Sequence, residues 1–90
     1  MNKVTKERID LLVATSTFHF TKGVGTTTFC QMILQNGFSV STGESACVDP
    51  NNYDFEVGKE FAKQDALKKG VSKLWELEGY ALSLKLNPIE

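Results

Sequence analysis

Apolar positions recur along the chain with two periods, one helical and one strand-like, and each predicts a different kind of element. Ile9, Leu12 and Val13 are spaced to share one face of a short helix over about Lys6 to Ala14. Thr5 can cap it, and Glu7 sits in the first turn, where the helix dipole favours negative charge. So short a helix is marginal alone and must dock on something. From Thr15 to Lys22 the period falls to two. Phe18 and Phe20 alternate with Thr17 and His19, as in a strand or extended edge. Lys22-Gly23-Val24-Gly25 then reads as a loop or hairpin turn.

The period of two continues from Thr26 to Gln35 and from Phe38 to Thr42, with Asn36-Gly37 between. Asn-Gly suits a two-residue type I′ turn, because both central residues need positive φ. That register sets Gln35 against Phe38, Ile33 against Val40 and Phe29 against Glu44. It places Phe29, Ile33, Phe38 and Val40 on one face, the expected core side. Cys30, Met32 and Leu34 fall on the other with Ser39 and Ser41. Apolar residues on both faces suggest that the outer one also meets something, such as another subunit. Cys30 opposes Gly43, and Cys47 lies four residues further, about 13 Å by strand rise and too far for a disulfide. A bulge at Gly43 would alter this register.

Asp49-Pro50 closes the strand region, and proline suits the first turn of a helix. From Tyr53 or Asp54 to Tyr80 or beyond the period is helical, with Val57, Phe61, Val71, Leu74, Trp75 and Leu82 as the apolar stripe. Gly58, Ala62, Ala66 and Gly70 recur every fourth residue, a ridge without bulk that lets another backbone approach. Gly79 is a candidate break. The whole predicts an α+β fold over residues 1–90 as a single domain. An N-terminal helix leads into an antiparallel β-sheet with an Asn-Gly hairpin, and a long C-terminal helix packs on the sheet. The small ridge and the two-sided strand predict a homo-oligomer.

Composition narrows the function. Ninety residues give a thin core. The opening stretch through Ile9 is charged and lacks an apolar run, and no segment has the roughly 18 apolar residues of a membrane span. Two cysteines form no disulfide framework, so a reducing, cytoplasmic setting is expected. The net charge is −1 and Arg8 is the only arginine, which argues against general nucleic-acid binding. Yet five of the ten basic residues lie between Lys59 and Lys73.

No catalytic constellation stands out. Cys30, Cys47 and His19 lack the clustered spacing of a zinc site, and nothing marks either thiol as an activated nucleophile. Gly23-Val24-Gly25 lacks the rest of a phosphate loop. Gly43-Glu44-Ser45-Ala46 admits close backbone approach and offers Glu44 and Ser45 to a ligand, or is a bulge with a solvated Glu. Asn52 and Tyr53 at a helix start could hold a polar ligand, or cap and pack. Lys59, Lys63, Lys69 and Lys73 could reach phosphates, or form a solvated face. Phe18, His19 and Phe20 could stack on a base, or half-bury a strand. Trp75 reads as core.

The second half is similar to the Gp-forty-nine-like short phage proteins. The shared residues are Asn36-Gly37-Phe38, Gly43 to Val48, Pro50, Asn52-Tyr53, Gly58, Ala62, Ala66 and Lys73-Leu74-Trp75-Glu76-Leu77-Glu78-Gly79-Tyr80. The likeness covers roughly residues 26 to 84. In layout the chain also resembles the Thoeris anti-defence sponge proteins of phages. That resemblance implies capture of a cyclic ADP-ribose-type signal or cyclic oligonucleotide between subunits, without catalysis or cofactor, in the host cytoplasm. The expected ligand residues are Arg8, Lys59 or Lys63 for phosphate, Phe18, Phe20 or Tyr53 for stacking, and Glu44, Ser45 and Asn52 for polar edges. The competing expectation is a protein–protein inhibitor or adaptor acting on a host enzyme.

Overall fold

The structure, a computed structural model, describes residues 3–89. It runs α1 (Lys6–Ala14), β1 (Thr17–Lys22), β2 (Thr27–Ile33), β3 (Ser39–Ala46), a 3-10 turn (Pro50–Asn52) and α2 (Phe55–Leu86). The strands form one antiparallel sheet in the order β1-β2-β3. Thr5 caps α1 by accepting from the Arg8 N–H at 3.2 Å, and Ile9 is buried beneath it.

Phe29 lies opposite Glu44 and Cys30 opposite Gly43, so the ladder is in the expected register up to Met32 and Ser41. Ile33 then pairs with Ser39, which leaves Val40 as the extra residue of a bulge. The turn absorbs the shift. Leu34 N–H donates to Phe38 O at 2.8 Å around a loop of Gln35, Asn36 and Gly37. Gly37 alone takes positive φ, at 92°, while the Asn36 side chain accepts from Phe38 N–H. A three-residue turn with glycine in the left-handed position therefore replaces the two-residue type I′ turn.

The core face is the opposite of the expected one. Thr28, Cys30 and Met32 are buried beneath α2, whereas Phe29 and Phe38 are exposed. Val40 turns inward because the bulge frees it from strict alternation. The cause lies in α2. Its ridge of Gly58, Ala62, Ala66 and Gly70, followed by Leu74, lies on the chain's own sheet, where it presses closest at Gly43. A Cβ on Gly43 would run into the Ala62 and Ala66 backbone. Ser41 and Ser45 hydroxyls donate to the Ala66 and Gly58 carbonyls at 2.7 and 2.8 Å, stitching strand to helix. The ridge is thus spent inside one chain and does not count towards association between chains.

The expected stripe on α2 is split. Leu74 is buried and Val71 packs on the core, but Val57, Phe61 and Trp75 point out, so Trp75 is not a core residue. Gly79 does not break the helix, which continues to Leu86. At 32 residues α2 is about 48 Å long, roughly twice the span of any strand here. It overruns the sheet, giving a longest dimension of 56 Å. On the overrun, Arg8 Nε of α1 meets Glu78 Oε1 at 2.8 Å. No helix of the described residues is long and apolar enough to cross a membrane.

Candidate functional site: a ladder of lysines and aromatic rings

Alternation puts Phe18, Phe20 and Lys22 on the inner face of β1, and four-residue spacing puts Phe55, Lys59 and Lys63 on one stripe of α2. The two stripes run in step, because two strand residues advance about 6.6 Å and four helical residues about 6 Å. Each rung pairs a cation with a ring. Lys63 Nζ lies 4.9 Å from the Phe18 centroid, and Lys59 Nζ 5.6 Å from Phe20 and 5.3 Å from Phe55. Lys22 Nζ closes the row, 5.4 Å from Tyr53 and 5.9 Å from Phe55.

Lys59 also meets Glu56 Oε2 at 2.9 Å. Among the described residues, neither Lys22 nor Lys63 has a carboxylate within ion-pair distance. Phe18 and Phe20 are half-buried and pack against the core, which holds their rings in place. An exposed cation–ring contact contributes about 0.5–1 kcal/mol, little enough for an incoming planar group to displace the lysine from the ring. The lysine would then be free to meet that group's anionic substituent.

Of the nine residues expected to form a site, five converge here: Phe18, Phe20, Tyr53, Lys59 and Lys63. The expectation missed Lys22 and Phe55. Lys22 continues the Phe18-Phe20 alternation, and Phe55 precedes Lys59 by one turn, so both could have been found by extending those periods. Ser45 and Asn52 lie apart, lining a separate cavity of about 240 Å³ between the end of β3, the 3-10 turn and the start of α2. Tyr53 borders both places, its hydroxyl 3.2 Å from Thr28 Oγ1. Glu44 faces out with Phe29, and its N–H donates to Asp65 Oδ2 at 3.0 Å. Arg8 lies far along α2, on Glu78.

The Asp65 carboxylate is held below its usual range, first by the Lys69 ammonium at 2.8 Å and then by the Glu44 N–H. It thereby covers an edge N–H of β3 that would otherwise be open to another strand. Among the described residues no strand pairs with the outer edge of β1. Burial pushes the Cys30 thiol up, against a smaller downward pull from Lys63, which disfavours the thiolate. His19 is on the opposite sheet face, with Nε2 3.1 Å from Thr17 Oγ1. Both cysteines are free, and no group of three potential metal ligands gathers among the described residues.

No curated protein and no solved structure matches the chain. A family does, and its match runs from residue 4 to residue 86. It therefore takes in α1 and β1 as well as the hairpin and α2. The chain belongs to the phage protein (N4 Gp49/phage Sf6 gene 66) family.

Proposed function

We propose that this phage protein is a counter-defence accessory that binds and sequesters a small anionic nucleotide signal, of the cyclic ADP-ribose or cyclic oligonucleotide kind, without breaking a bond in it. The observation that carries the reading is the in-step row of three lysines and four aromatic rings between β1 and α2. A nucleotide needs a surface for its base and cations for its phosphate, and base–ring stacking contributes about 1–3 kcal/mol per base. Phe18 and Phe20 supply the stacking surface, and Lys22, Lys59 and Lys63 the charge. Because this is a face rather than an enclosure, a second copy laid against the bare β1 edge would cover the ligand, which makes the functional unit a homo-oligomer.

Thermal unfolding with a panel of cyclic nucleotides tests this. At least one compound should raise the midpoint of the wild type and not that of the Lys59→Ala/Lys63→Ala variant. Heating should then release the compound chemically unchanged. A shift that survives in the variant removes the ladder from the account, and a cleaved product makes the protein an enzyme.

A second reading has its own support. Phe61 and Tyr80 of α2 are 57% and 59% exposed, among several large apolar side chains on the surface. Such residues suit an inhibitor or adaptor that docks on a host enzyme. The absence of any nucleotide-induced shift would favour it.

A further inference from the structure

The cavity beside the ladder has the opposite chemistry. Its walls are largely apolar, with Val57 and Phe61 on one side and Ala46 and Cys47 on the other. Most of its polar groups are already engaged. Ser45 Oγ donates to Gly58 O, Thr26 Oγ1 to Cys47 O at 2.6 Å and Cys47 Sγ to Asp49 O. Asn52 Nδ2 donates to Asp49 Oδ2 at 3.3 Å. The Glu56 and Gly58 N–H groups at the helix start are taken by Asp54 Oδ1 and Asp54 O, both at 2.9 Å. The second oxygen of the Asp54 carboxylate and the amide oxygen of Asn52 make no hydrogen bond among the described residues. Both are acceptors, one of them charged, and no lysine or arginine lines the cavity.

Size narrows the ligand further. About 240 Å³ falls below the roughly 300–1,000 Å³ of sites that enclose drug-sized molecules. The volume suits a single ring with a short substituent. We infer that this cavity is a second binding site, for a one-ring organic ammonium ion. The ring would sit between Val57 and Phe61 on one wall and Ala46 and Cys47 on the other, and the ammonium would donate to Asp54 and Asn52. The inference does not rest on the nucleotide reading, because the two sites select for opposite charge.

Titration of the ¹⁵N-labelled protein with 2-phenylethylammonium, 2-phenylethanol and phenylacetate tests it. The ammonium should perturb the amides of Ala46, Cys47, Val57 and Phe61 and bind about threefold tighter than the carboxylate, the scale that exposed charge contacts of opposite sign provide. Asp54→Ser retains a capping oxygen for Glu56 N–H and should erase that preference while the alcohol still binds. Asp54→Asn, which also caps, is the second variant should the serine form fail to fold. Failure of all three probes to perturb these amides would overturn the site. So would a charge preference that persists in the folded Asp54 variants.

Discussion

Gly43 is where the addition of one methyl group would be felt most. The Ala62 and Ala66 backbone lies over it and cannot swing aside as a side chain could. Gly43→Ala should therefore cost at least the about 1–3 kcal/mol of overpacking, read as a lower denaturant midpoint. Asp65 allows a test by pH. Its carboxyl is held low by Lys69 and the Glu44 N–H, so it contributes stability above the ordinary aspartate value of about 3.9. That contribution is lost as pH falls through the lowered folded value. Stability should decline over this acid range in the wild type, and the decline should be shallower in Asp65→Asn. At this scale the sequence was legible in kind and misleading in purpose. Close backbone approach at Gly43 was foreseen, but the approaching backbone is the chain's own helix rather than a ligand.

Among the elements, α2 offers an internal comparison between glycines. Gly70 sits against the Met32 sulfur, while a Cβ on Gly79 would meet nothing within 4 Å outside its own helix. Gly79→Ala should stabilise the protein by about 0.5–1 kcal/mol, the ordinary helix-propensity gain, and Gly70→Ala should destabilise it. Chemical denaturation of the two variants reads both signs. Thr5→Ala removes the cap of α1 and should cost about 1 kcal/mol in the same assay. α1 was legible because a cap and a 3.6-residue period coincide there. The hairpin register was legible as far as Met32 because the extra turn residue and the bulge at Val40 offset each other. The core face was not, because β2 carries apolar residues on both sides. What decides between them is the small-residue ridge of α2, whose partner no local pattern names. The ladder was half legible: periodicity placed Phe18 with Phe20 and Lys59 with Lys63, but only the fold brings the two stripes side by side.

Over the whole molecule, the ladder and the cavity gather at one end, around the start of α2, while the helix overrun and Arg8 occupy the other. A protein with net charge −1 thus concentrates three lysines on one face. Binding of a phosphate-bearing ligand there should weaken as salt rises, because exposed charges are screened. The match to the phage family, from residue 4 to residue 86, spans both ends of the fold. On the proposal above, the β1–α2 face captures an intact nucleotide-type anion. Native mass spectrometry of the protein mixed with cyclic ADP-ribose isomers and cyclic oligonucleotides reads this capture. The account predicts an assembly of two or more chains carrying one compound at its unaltered mass, with that adduct missing from Lys59→Ala/Lys63→Ala. Bare chains with every compound, or an adduct equally abundant in the variant, would contradict it.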